Sequence, residues 1–162
     1  MYKIGDKIVY PLYGAGIISD IETTDIDGEA YTYYVLTIPI GNLSIRISAA
    51  KAESLGVRPV LPKEALFAAL EEVLAETTNM PDNWNHRYKE NMERIKSGIL
   101  KEIAVVYSSL QYREGERGLS TAEKKMMTTA KQIILTEIIT SLDIPREAAE
   151  TTLEDIFPVV KK

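Results

Sequence analysis

The chain has no cysteine and a single histidine, His86, among its 162 residues. Without thiols there is no disulfide and no thiolate metal site, and one imidazole leaves a histidine metal centre or a Ser-His-Asp triad without partners. No apolar run approaches the roughly 18 residues that cross a bilayer. The opening Met1-Tyr2-Lys3-Ile4-Gly5-Asp6 lacks the apolar core of a signal peptide. No Walker loop or dinucleotide fingerprint occurs, because Gly14-Ala15-Gly16 is followed by Ile17-Ile18-Ser19 and not by the remaining glycine spacing. Carboxylate pairs such as Glu71-Glu72 fall on the outer face of a predicted helix, where solvation explains them. These absences point away from an enzyme, a resident cofactor or metal, and a membrane protein. A cytoplasmic protein is the economical expectation.

What is present is the composition of a globular protein, 45% hydrophobic and 27% charged, with room for one ordinary domain or two small ones. The net charge of −5 argues against a nucleic-acid binder, but screening makes the local distribution matter more than the sum. Residues 84–101 carry Arg87, Lys89, Arg94, Lys96 and Lys101 against Glu90 and Glu93. Residues 113–131 carry Arg113, Arg117, Lys124, Lys125 and Lys131 against Glu114, Glu116 and Glu123. Residues 137–155 oppose six acids to Arg146 alone. The middle is locally basic and the C-terminal part acidic.

The pattern changes near residue 60. Before it, Lys7-Ile8-Val9-Tyr10 predicts a first strand stopped by Pro11, and Gly14-Ala15-Gly16 a turn. Ile17 to Glu22 predicts a second strand, Asp25-Ile26-Asp27-Gly28 a hairpin turn, and Ala30 to Pro39 a third strand. After a turn at Gly41-Asn42, Leu43 to Ser48 alternates with period two. Four or five short strands suggest a small SH3-like or Tudor-like barrel over residues 1–58. Past Pro59 and Pro62 the period becomes helical. Leu66, Leu70, Val73 and Leu74 form one stripe, and Thr77 to Asp82 a polar loop. Trp84, Tyr88, Met92 and Ile95 form the next stripe. Leu100 to Leu110 gives a third helix ending near Gly115 and Gly118. Ser120-Thr121-Ala122-Glu123 is a capping box for a fourth, and Pro145 separates a fifth. The reading is a two-domain chain, with an all-α bundle of about five helices over residues 62–157.

Three stretches together resemble the CarD/CdnL family of bacterial RNA-polymerase-binding transcription regulators. They are Gly5-Asp6-Lys7-Ile8-Val9-Tyr10-Pro11 with Gly14-Ala15-Gly16, the Trp-centred Asn83-Trp84-Asn85-His86-Arg87-Tyr88-Lys89-Glu90-Asn91, and Glu116-Arg117-Gly118-Leu119-Ser120 with Glu123-Lys124-Lys125-Met126. Each is weak alone, while their order and intervals cover roughly residues 1 to 157. The resemblance implies a Tudor-like domain that docks on the polymerase β subunit. It also implies a helical domain that meets promoter DNA, without sequence specificity, in the minor groove at the upstream edge of the −10 element. Such a protein needs no cofactor. It would stabilise the open complex, act as a monomer, and reach the nucleoid through polymerase. A ligand that binds the opened promoter better than the closed one shifts populations by that difference.

The resemblance assigns polymerase contacts to Arg46, to its neighbours Ile45 and Ile47, and to Thr24. It assigns DNA contacts to Trp84, Arg87, Lys89, Lys124 and Lys125. Two positions depart from the family pattern. Thr24-Asp25, read as a turn, stands where relatives often carry a basic residue, and His86-Arg87 stands where they often have two arginines. Pattern alone also allows Arg46 to be an ordinary exposed strand arginine, and helical spacing places Trp84 on a core stripe. The family reading instead displays the indole at a helix start, where an apolar wedge could use a partly unstacked base step. A protein-only polymerase adaptor is the alternative function, and an uncharacterised hydrolase is disfavoured by the poor catalytic inventory. The related polymerase-docking domain of transcription–repair coupling helicases is accompanied by a motor, which is not expected here because no Walker loop occurs.

Overall fold

The computed structural model describes residues 1–74 and 80–158. Five strands come first: β1 (Lys7–Tyr10), β2 (Gly14–Ile26), β3 (Glu29–Ile38), β4 (Leu43–Ser48) and β5 (Arg58–Pro59). Five helices follow: α1 (Lys63–Leu74), α2 (Trp84–Lys96), α3 (Leu100–Glu116), α4 (Thr121–Leu142) and α5 (Arg146–Ile156). The strands form one antiparallel sheet in the order β4-β3-β2-β1-β5, so β4 and β5 are its edges.

The hairpin of β2 and β3 turns at Asp27 and Gly28, whose φ values of 52° and 83° are the paired positive angles of a two-residue primed turn. Both strands run up to that turn, with Ile26 opposite Glu29, so β2 is much longer than its apolar stretch predicted. The outer residues Glu22, Thr23, Thr24 and Asp25 offer no apolar alternation, and the cross-strand ladder holds them. Thr24 therefore lies within β2 opposite Tyr31, not in a turn. The predicted turn at Gly14-Ala15-Gly16 is likewise strand. The chain reverses at Pro11, Leu12 and Tyr13, closed by the Tyr13 amide donating to the Tyr10 carbonyl at 3.0 Å. The glycines serve close approach instead. A Cβ on Gly16 would lie 2.2 Å from the Thr37 carbonyl oxygen, and one on Gly14 would lie 2.7 Å from Thr136 Oγ1 of α4.

Each half has its own apolar cluster. Ile8, Ile18, Leu36, Ile38 and Ile47 are fully buried in the sheet. Leu66, Leu70, Ile95, Leu100, Ile103, Leu110, Ile134 and Leu153 are buried among the helices, with Ile40 and Leu61 packed against them. Burying one such Leu or Ile contributes about 1.5–3 kcal/mol. The switch from sheet to helix falls at residues 60–62, between β5 and α1. Of the predicted loop Thr77–Asp82, residues 77–79 lie outside the described residues.

Helix α4 packs on β2 as well as on α3. Thr136 Oγ1 accepts from the buried Ala15 amide at 2.9 Å. Glu137, 2% exposed, accepts from Arg58 at 2.7 and 2.9 Å and from the Leu61 amide at 2.9 Å. Its place in the acidic C-terminal run therefore gives it no share in the surface charge. Among the described residues no helix is long and apolar enough to cross a membrane.

Candidate nucleic-acid interface and strand edge

Helix α2 begins at Trp84 because Asn83 caps it, in extended backbone, its side-chain oxygen accepting from the His86 amide at 3.2 Å. At this first helical position the indole has no preceding turn to bury it, and Trp84 is 42% exposed. Its inner face stacks on Tyr88, one turn on, with ring centroids 5.2 Å apart and planes 18° from parallel. Its Nε1 donates to Ser120 Oγ at 3.1 Å. The apolar stripe predicted through Trp84, Tyr88, Met92 and Ile95 thus grades inward, with Ile95 alone fully buried.

Ser120 caps α4, its Oγ accepting from the Glu123 amide at 3.2 Å. The Glu123 carboxylate does not complete the expected reciprocal box. It accepts instead from Arg87, Nε at 2.7 Å and Nη2 at 3.1 Å, and from the Ser120 hydroxyl at 3.2 Å. The remaining Arg87 nitrogen donates to the Pro81 and Asp82 carbonyls.

This network corrects the sequence assignment of Arg87 to a phosphate. Arg87 is 3% exposed and Glu123 2%, so the guanidinium lies beneath the surface with its donors taken. The bond from Arg87 holds the Glu123 carboxyl below the usual carboxylate range, and the same bond raises Arg87 further. Sequence reasoning found both residues but not their pairing, since a separation of 36 positions carries no local signal. It also missed Tyr88 as the indole's support, although the i, i+4 spacing is the one that lets two helical side chains meet.

The network brings the starts of α2 and α4 together. Lys124 and Lys125 are exposed on the first turns of α4, and Lys89 is exposed on α2. Lys125 lines a cleft of about 430 Å³ with Tyr88, Met92, Ala122 and Met126, so one of these lysines stands next to the Trp84–Tyr88 stack. The arrangement offers a flat apolar face, two converging helix N-termini and exposed ammonium groups to an anionic partner.

The second surface is the outer edge of β4. Arg46 of β4 is exposed, and its side chain lies back over the sheet face, its Nε 3.1 Å from Glu22 Oε2 of β2 and its guanidinium 4.6 Å over the Tyr33 ring of β3. Ile45 is partly buried, and Ile47, 1% exposed, belongs to the sheet core. The side chain of Ile47 is therefore unavailable to a partner, and only its main chain on the sheet edge remains. Thr24 is exposed on the projecting part of β2.

The sequence comparisons match this layout. The family model described as "CarD-like/TRCF RID domain" matches residues 2–61, and the one described as "CarD, C-terminal domain" matches residues 67–154. This chain belongs to the CarD-like family. It is 36% identical over 138 residues, 85% of its own length and 90% of the other's, to the candidate transcription factor YdeB of Bacillus subtilis (strain 168). The two matches are separated by residues 62–66, where the CarD-like chain passes from β5 into α1.

Proposed function

We propose that this CarD-like chain is a non-enzymatic bacterial transcription regulator that holds RNA polymerase with its sheet region and promoter DNA with its helical region. The sheet region would act as a Tudor-like module docking on the polymerase β subunit through the β4 edge. Main-chain pairing would supply affinity there, and Arg46 would exchange Glu22 for an acid of the partner. The helical region would meet the minor groove at the upstream edge of the −10 element, with Trp84 against a distorted base step and Lys124, Lys125 and Lys89 on phosphates. Binding the opened promoter better than the closed one would stabilise the open complex.

One observation carries the reading. The only tryptophan stands half-exposed at a helix start, supported from below by Tyr88, Ser120 and a buried ion pair, and joined to a second helix start that carries two lysines. A residue merely filling the core would face inward. The burial of Arg87 reduces the available cations and so favours weak, sequence-tolerant DNA binding that depends on polymerase for its effective concentration.

Titrating the full chain with duplex DNA at several salt concentrations tests this. Three phosphate contacts give a slope of log K against log salt of about −2.7, at roughly −0.9 per contact. Lys124→Ala with Lys125→Ala should bring the slope to about −0.9. Polymerase capture without any salt-dependent DNA binding would favour a protein-only adaptor.

A further inference from the structure

Helix α4 runs unbroken for 22 residues, about 33 Å at 1.5 Å per residue. Two buried carboxylates, Glu123 and Glu137, lie on it about 21 Å apart, just under four turns, and so on nearly the same side. Each takes two nitrogens of one arginine. Glu123 binds Arg87 of α2, beneath Trp84. Glu137 binds Arg58 of β5 and also the Leu61 amide. Arg58 Nε donates further to the Gly98 carbonyl at 2.8 Å, between α2 and α3. One position before Glu137, Thr136 accepts from the Ala15 amide of β2, and Ser141 donates to the Leu61 carbonyl at 2.6 Å. The first turn of α4 thus belongs to the candidate DNA surface, and its last two turns to the sheet.

We propose that α4 is a rigid strut, and that Arg58, Thr136 and Glu137 are positioning residues fixing the distance and angle between the Trp84 surface and the β4 edge. Parting the sheet from α4 would leave a buried carboxylate and a buried amide without partners, which costs the full desolvation of each group. The apposition is also sterically close. A Cβ on Gly14 would lie 2.7 Å from Thr136 Oγ1, and one on Gly98 would lie 2.8 Å from Pro11 Cγ. A linkage held at the right span gives the second binding event a high effective concentration, whereas a loose one dilutes it. The functional part of this proposal rests on the two-surface reading above, and the rigidity does not.

The absence of native cysteine makes the test direct. Ser44→Cys on β4 and Lys96→Cys on α2, both exposed positions, take spin labels in the full chain. One narrow distance distribution is expected, broadened by Glu137→Gln and by the nearly isosteric Thr136→Val. A broad distribution in the parent chain, or an unchanged width in both variants, would overturn the strut. A variant that fails the melting check is set aside, and the other decides. On polymerase and promoter together, the same variants should shorten the open-complex lifetime roughly tenfold while leaving affinity for each partner alone unchanged. An unchanged lifetime would overturn the positioning role. A parent chain without effect on that lifetime would instead sink the proposed function, and the distance widths would still decide the strut.

Discussion

Arg46 and Arg87 make the same kind of contact in opposite surroundings. Arg46 meets Glu22 on the open sheet face, with the two side chains 54% and 45% exposed. Arg87 meets Glu123 between two helix starts, at 3% and 2%. In water the first pair is worth little and exchanges partners freely, which suits a docking surface. The second is held by its geometry. Breaking it leaves a charge without solvent, though a well-packed apolar replacement of both partners could be neutral. Two arginines of equal apparent promise are thus one potential contact and one internal fastening.

The largest expected effect comes from breaking the buried pair on one side only. Arg87→Ala or Glu123→Ala should lower stability by about 3–5 kcal/mol, read as a drop in melting temperature of roughly 6–20 °C. A loss below about 1 kcal/mol would place this pair with the exposed kind. Acidification probes it without mutation. Glu123 titrates below the usual carboxylate range in the folded chain, so its stabilisation is complete above the ordinary value of about 4.3. It fades as pH falls through that value toward the lowered one. Arg87 stays charged throughout. Urea unfolding from pH 7 to 3 should show less acid loss in Glu123→Gln than in the parent.

Trp84→Ala should have a smaller effect on stability, about 1–2 kcal/mol, from the lost stack on Tyr88 and the bond to Ser120. The same change should shorten the open-complex lifetime by about one to two orders of magnitude, the equivalent of one stacked base. A melting loss of about 3–5 kcal/mol with no change in lifetime would return Trp84 to the core. Smallest of all, Arg46→Glu should move stability by about 0.5 kcal/mol or less while weakening capture of polymerase. Unchanged capture with an unchanged melting curve would count against the β4 edge.

Periodicity and capping chemistry made most elements legible. The six-residue alternation of Leu43 to Ser48 is β4, and Ser120 caps α4 as its motif required. What misled was local chemistry put to non-local use. The glycines at 14 and 16 resembled a turn but clear space for α4 and β3, and the acid-rich end of β2 gave no strand signal although its ladder forms.

By itself the sequence determined the order of elements, the change from sheet to helix near residue 60, and the helix starts at Trp84 and Thr121. Each depends on neighbours within a few positions, and such interactions are written in spacing. Tertiary structure decided which charges are surface and which are interior. Arg87 finds Glu123 across 36 positions and Arg58 finds Glu137 across 79, separations over which the chain carries no periodic signal. Only packing of α4 against both α2 and the sheet removes water from those groups, and it is that removal which turns two ordinary charges into fixed structural joints.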